Sequence, residues 1–153
     1  MPRLQRSANV RWEGNVARGS GAISAATGAF TELPYTLASR VERPNGKTSP
    51  EELLAAAHAA CYSMSLAGEL TGAGTPPERL EVHATVTLDQ VEDGSHWIVA
   101  SELLARARVT DVDAETLNGL AATASEGCPF TKLIEASAKV TVNATLEEDA
   151  DGD

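Results

Sequence analysis

The chain has 153 residues, 42% hydrophobic and 22% charged, a composition suited to one globular domain large enough to bury a core. Its formal net charge is −10, and five acidic groups sit in the closing "LEEDADGD", leaving about −5 on the rest. A mildly acidic body excludes a sequence-independent phosphate-binding surface, so no nucleic-acid partner is expected. From the N-terminus, "MPRLQRSANVRWEG" carries no apolar core of signal-peptide length, and the expected location is the cytoplasm. Residues 8–42 read as strands, because "NVRWEG", "GSGAISAATG" and "PYTLASRVE" are short alternating runs bounded by Gly, Pro and Asn.

"RPNGKTSP" (43–50) breaks that pattern with two prolines around an Asn-Gly pair. A helix over 50–71 follows, with Thr48 or Ser49 as its cap, Pro50 at its first position and Glu51 and Glu52 in its first turn. Ser49 and Glu52 also have capping-box spacing, and Gly72 or Gly74 supplies the stop. Leu53, Leu54, Ala57, Ala60, Met64 and Leu66 run around much of the circumference, so the helix is expected to be central and buried on most sides. Its alanines permit close approach of another backbone, a second copy of the same helix included. His58, Ser63 and Ser65 interrupt the run, which falls short of a membrane span of about 20 strongly apolar residues.

After Pro76-Pro77, residues 79–110 read as two antiparallel strands joined through "EDGS". Residues 113–136 read as two helices, the first capped by Asp113 and stopped by Gly127, the second opened by "CPFTKLIEAS". Residues 138–147 form a last strand, and 148–153 an acidic flexible tail. Strands, helix, strands, helices, strand is the order of an α+β fold, taken as a single domain over 1–147.

The chain has two cysteines, Cys61 and Cys128. In a reducing cytosol a lone pair is more often free, catalytic or metal-bound than a permanent staple. Thiol chemistry needs thiolate, and an unperturbed cysteine is mostly protonated at neutral pH. Cys128 precedes Pro129, a favoured first helical residue, so its sulfur is expected at a helix N-terminus, where unpaired amides favour an anion. Cys61 lies well inside its helix and has no such help; burial alone would raise its pKa. A nucleophilic Cys61 must therefore borrow a positive charge, and Arg18, Arg40 and His58 are the candidates. An arginine buried beside a thiolate would need a carboxylate, and Glu51 is available. Ten residues of helix hold Glu51 about 15 Å along the axis from Cys61, so a shared site needs a spanning arginine or a second subunit.

Each residue also has a plainer reading. A cysteine on an alanine-rich helix is first a packing residue, and first-turn acids and strand arginines are first capping groups and ion pairs. Two cysteines and three scattered histidines lack the paired spacing of a structural zinc site, so no metal is expected.

In order along nearly the whole chain, "WEGNVARGSGAIS", "PYTLASRVE", "SPEELLAAAHAACYSMSL" and "GCPFTKLI" resemble the successive motifs of the OsmC/Ohr family, the osmotically inducible and organic-hydroperoxide-resistance proteins. "SRVE" and "AHAACYSM" resemble its OsmC branch. The resemblance implies an intertwined homodimer with antiparallel sheets around the central helix. It also implies a cofactor-independent, two-cysteine peroxidase that reduces organic hydroperoxides, and hydrogen peroxide less well. Cys61 matches the peroxidatic cysteine, Cys128 the resolving one, and Glu51 the glutamate that holds the activating arginine. Arg18 matches that arginine in the Ohr branch and Arg40 in the OsmC branch. Through the resemblance, Cys61 attacks the peroxide and becomes a sulfenic acid. Cys128 then closes a disulfide with it, and an external dithiol (lipoyl, thioredoxin-like or a small thiol) reduces the bridge. No membrane partner is expected. The alternative is an apolar-ligand-binding dimer whose cysteines are structural.

Overall fold

The computed structural model describes residues 3–148, so the expected acidic tail lies, from residue 149 onward, outside the described residues. The elements are β1 (Ala8–Glu13), β2 (Ser20–Ala25), β3 (Leu33–Tyr35), α1 (Leu37–Val41), α2 (Pro50–Gly72), β4 (Arg79–Gln90), β5 (His96–Arg108), α3 (Ala114–Gly127), α4 (Pro129–Glu135) and β6 (Lys139–Leu146). The class is α+β, as the pattern of elements predicts. The chain divides into two compact units, 1–53 and 54–153.

In the first unit β1, β2 and β3 form an antiparallel sheet in that order. Gly21 on β2 lies beneath Trp12 and Tyr35, whose rings stand 5.5 Å apart; a Cβ at this position would run into both. The structure corrects one expectation here: residues 37–41 are helical rather than a continuation of the strand. The Thr36 Oγ accepts the Ser39 amide at 3.0 Å and the Ser39 Oγ accepts the Thr36 amide at 2.9 Å. This reciprocal cap bends the chain into a turn of helix, because a hydroxyl offers the backbone partners that a strand ladder would otherwise supply. Arg40 is therefore a helix residue, and Arg18 sits in the turn between β1 and β2.

Ser49 caps α2, its Oγ accepting the Glu52 amide at 3.1 Å and its carbonyl the Leu53 amide at 3.1 Å. The Glu52 carboxylate does not complete the box, since it accepts the Thr48 hydroxyl at 2.8 Å instead. At the far end of α2, Thr75 donates to the Leu70 carbonyl and Gly74 to that of Thr71, at 2.9 and 3.0 Å. Gly74 adopts φ +82°, the left-handed stop expected from "TGAG".

In the second unit β4 and β5 form the expected hairpin, turning through Gly94 at φ +85°. β6 pairs with β5 in parallel, so this sheet is mixed, against the expectation of antiparallel sheets throughout. α3 and α4 fill the crossover, which is what a parallel return requires. Along β5, Ser101, Leu103, Ala105 and Ala107 are buried while Glu102, Leu104 and Arg106 are exposed. That alternation turns one face onto a core built from Tyr62, Leu66 and Leu70 of α2 and Leu117, Ala121 and Ala124 of α3.

α2 is also less buried than expected. His58, Tyr62, Leu66 and Leu70 form one buried stripe, while Ala56, Ala60, Met64 and Gly68 lie exposed, Met64 at 77%. The helix reads as apolar all round because alanine scores as apolar, yet its methyl group buries little surface. The Tyr62 hydroxyl donates to the Ala121 carbonyl at 3.1 Å and the Ser65 hydroxyl to that of Ala124 at 2.7 Å, tying α2 to α3. Burial pushes the Tyr62 phenol up to about 12. Among the described residues no helix is long and apolar enough to cross a membrane.

Candidate active site

α3 ends at Gly127, and Cys128 then serves as the cap residue of α4 in extended geometry, with Pro129 at the first helical position. The junction holds because the Cys128 amide donates back to Ser125 and its carbonyl accepts the Lys132 amide. The Cys128 thiol is fully buried there. Cys61 is half-buried midway along α2, against the core. Both are free thiols, Cys128 within the buried core cluster and Cys61 packed against that cluster, and each sulfur bears on the acidity of the other.

The two sulfurs differ in acidity. Burial pushes the Cys61 thiol up, the adjacent Cys128 sulfur pushes it further, and the Phe130 amide opposes them. Burial also works to raise Cys128, but it is outweighed. The Thr131 amide, the Thr131 hydroxyl, the Cys61 thiol and the Phe130 amide all stabilise the Cys128 thiolate, and its pKa moves down. They do so as a converging set of dipoles, since Cys128 makes no formal side-chain cap bond to α4. The acid Cys128 at a helix start was legible in "GCPF". Within residues 54–148 no cation contributes at Cys61, so of the two sulfurs Cys128 is the one whose surroundings favour the thiolate.

In the first unit Glu51 holds an arginine, and that arginine is Arg40. Its Nε and Nη2 lie 2.9 and 2.6 Å from Glu51 Oε1, and Nε lies 3.2 Å from Oε2. Glu51 is nearly buried, its side chain 12% exposed, and that of Arg40 is 40% exposed. Among the described residues Arg18 forms no side-chain ion pair; its amide donates to Asn15 Oδ1. Trp12, Val16, Tyr35, Leu37, Pro50 and Arg40 line a pocket of about 160 Å³, mostly apolar apart from the guanidinium. Phe130 packs against the core and Met64 faces outward.

His58 is not the cation sought for Cys61. It is fully buried, and burial lowers its pKa against the weaker upward pull of Glu135, so the ring is neutral. Its Nδ1 lies 2.7 Å from Ser101 Oγ and its Nε2 2.9 Å from Thr131 Oγ1. Sequence reasoning missed both partners. His58 shares its buried face of α2 with Tyr62, Leu66 and Leu70, but nothing local points to hydroxyls 43 and 73 residues away.

An α+β frame with a long helix bearing one free thiol, and a helix junction presenting the other, defines a two-thiol protein. A family model described as OsmC-like protein matches residues 43–143. The "Peroxiredoxin OsmC" of Escherichia coli (strain K12) is 37% identical over 144 residues, covering 94% of this chain and 98% of that protein. The chain belongs to the OsmC family, as its motifs suggest. Among solved structures, the organic hydroperoxide resistance protein OhrB of Bacillus subtilis aligns with TM-score 0.73 and 25% identity, covering 91% of this chain and 98% of that one. An OsmC organic hydroperoxide resistance protein from Legionella pneumophila shares the fold, with TM-score 0.74 at 20% identity over 94% and 99% of the two chains.

Proposed function

We propose that this protein is a cytoplasmic thiol peroxidase that reduces organic hydroperoxides to alcohols, and hydrogen peroxide less well. One observation carries the reading: two free thiols belong to the same core, one of them made more acidic by its place at a helix start. The names of the relatives, a peroxiredoxin and an organic hydroperoxide resistance protein, support the same chemistry here.

At rest the local dipoles favour the thiolate at Cys128 over that at Cys61. A guanidinium brought beside Cys61 reverses that order, so that Cys61 is the thiolate and Cys128 keeps its proton. The Cys61 thiolate attacks one peroxide oxygen, the O–O bond breaks, and the alkoxide takes a proton from water and departs as alcohol. Cys61 is left as a sulfenic acid, with which Cys128 condenses to form a disulfide and water. An external dithiol returns both sulfurs to thiols. Arg40 is assigned as the activating arginine because Glu51 orients it through two nitrogens, with Arg18 the lesser candidate. The apolar walls of the pocket that includes Arg40 favour alkyl over small polar peroxides. The exposed strip Ala56, Ala60, Met64 and Gly68 is the face on which a second copy of α2 packs in a homodimer.

The test is mass spectrometry after one equivalent of cumene hydroperoxide. Wild type should give an intramolecular Cys61–Cys128 bridge and Cys128→Ser should stop at Cys61 sulfenate. Cys61→Ser should consume no peroxide. Unchanged thiols in wild type would overturn the proposal, and peroxide consumption by Cys61→Ser would do the same.

A further inference from the structure

His58 and Cys61 stand three residues apart on α2, neighbours on one helical turn and about 4.5 Å apart along its axis. Cys128 and Thr131 repeat that spacing at the start of α4, where Cys128 is the cap residue and its carbonyl accepts the Lys132 amide at 3.1 Å. A bond between side chains joins the two turns: His58 Nε2 lies 2.9 Å from Thr131 Oγ1. On the opposite side of the ring, Nδ1 lies 2.7 Å from Ser101 Oγ, which fixes the imidazole on β5. His58, Ser101, Thr131 and Cys128 are all essentially without exposed surface. Cys61 packs against the same core that holds Cys128.

α4 needs such a fastening. At seven residues it is too short to hold its own shape, and the side chains it buries are those of Thr131 and Ile134. Ile134 is held by apolar contact, which tolerates sliding, whereas a hydroxyl bonded to a buried ring has a defined place. The neutral ring donates from one nitrogen and accepts at the other, and a hydroxyl can meet either. Among the described residues no buried side-chain nitrogen or oxygen lacks a partner. Space alone would be filled by leucine, as Leu66 and Leu70 fill it further along the same stripe of α2.

We propose that His58 is a positioning residue whose bond to Thr131 holds the start of α4 where Cys128 can close a disulfide with Cys61. Its consequence for turnover rests on the peroxidase reading above. His58 acts through α4 and not on the reacting atoms. In the closing step the Cys128 sulfur bonds to the sulfenic sulfur of Cys61, the S–O bond breaks, and hydroxide leaves with the Cys128 proton as water. The Cys61 sulfur is reduced and the Cys128 sulfur oxidised. A disulfide accepts Cα separations of roughly 4.4–6.8 Å, so a start of α4 displaced by about 1 Å loses much of the closing rate.

The experiment sets wild type beside His58→Gln, His58→Asn, Thr131→Val and Thr131→Ser. The glutamine amide ends where Nε2 stands and can bond Thr131, while the asparagine amide ends where Nδ1 stands and can bond only Ser101. The first readout is the equilibrium of the Cys61–Cys128 pair in glutathione buffers, where the dithiol becomes the disulfide as oxidised glutathione becomes two thiols. It gives the effective concentration of one sulfur at the other. A substitution that weakens the reduced and oxidised folds alike leaves that quantity unmoved, which separates positioning from stability. The second readout is disulfide closure after one equivalent of cumene hydroperoxide, with dimedone trapping for sulfenate. His58→Asn and Thr131→Val should lower effective concentration and closure rate by about tenfold or more. His58→Gln and Thr131→Ser should stay within a few-fold of wild type. Wild-type values in His58→Asn or Thr131→Val overturn the proposal, and so do equal losses in His58→Asn and His58→Gln. Where one substitution at a position prevents folding, the pair at the other position decides. If wild type forms no sulfenate, the peroxidase reading falls and the glutathione equilibrium alone decides the positioning role. A wild-type pair that forms no bridge in glutathione overturns that role as well.

Discussion

Replacing Arg40 with alanine, and Arg18 with alanine in a parallel variant, tests which guanidinium activates Cys61. A thiolate and a guanidinium at about 4 Å attract by about 4 kcal/mol at an effective dielectric near 20. The Arg40 side chain is 40% exposed, and solvent screening reduces that figure by roughly half, to about 2 kcal/mol. At about 1.4 kcal/mol per tenfold, Arg40→Ala should slow formation of the Cys61 sulfenate by about 30-fold. Arg40→Lys keeps the charge but loses the two-nitrogen grip on Glu51 and should fall between wild type and alanine. Stability should move little, by about 1 kcal/mol, because the ion pair is partly open to solvent. Arg18 has no carboxylate holding it among the described residues, so Arg18→Ala should stay within a few-fold of wild type. The assay is single-turnover trapping of sulfenate at limiting cumene hydroperoxide, with methylguanidine added to Arg40→Ala as a rescue. A wild-type rate in Arg40→Ala, or a larger loss in Arg18→Ala, would refute the reasoning.

Tyr62, its phenol pushed up to about 12 by burial, holds its proton more tightly folded than unfolded. Its contribution is therefore full below the ordinary phenol value near 10 and is lost as pH rises through about 12, amounting to about 3 kcal/mol. Tyr62→Phe should remove that alkaline loss at a cost of about 1 kcal/mol for the bond to Ala121, read by urea unfolding at stepped alkaline pH; an unchanged slope would contradict it. His58 has the opposite sign, because its folded pKa is depressed by burial. Its contribution is full above about 6.5 and falls away as pH drops through the folded value, so His58→Gln should flatten the acid limb of stability. Gly21→Ala would set a methyl 2.9 Å from the Trp12 ring and closer still to that of Tyr35. It should cost about 1–3 kcal/mol and shift tryptophan fluorescence, both measurable in one thermal scan.

Much of the fold was legible where the signal is local. Ser49, Asp113 and Gly74 act as their chemistry demands, and the helix from Pro50 runs to Gly72. The misreadings have physical causes. "YTLASRVE" alternates in polarity over too few residues for period to decide, and a hydroxyl cap on either side of Thr36 and Ser39 makes the choice. The direction of β6 is set by its crossover, and the two helices predicted over 113–136 already spanned the distance that a parallel return needs. Cys61, Cys128 and Glu51 stood out by rarity, spacing and family motif. The choice of Arg40 by Glu51 depends on an eleven-residue reach through α1, a helix the sequence pattern did not show.

The order of acidity carries the deeper argument. Helix-start amides are fixed in the backbone, so they favour an anion at Cys128 whatever else surrounds it. Cys61 sits mid-helix, where every amide is already spent on the helix, and only an imported charge can make it the nucleophile. Residues 54–148 import none. If Cys61 is to attack, its cation has to come from residues 1–53, of this copy or of a second one packed on the exposed face of α2. A protein built this way would keep its reactive sulfur protonated until the guanidinium is in place. Peroxide chemistry would then begin only in the assembled site, and that dependence on assembly follows from Cys61 having no cation beside it within residues 54–148.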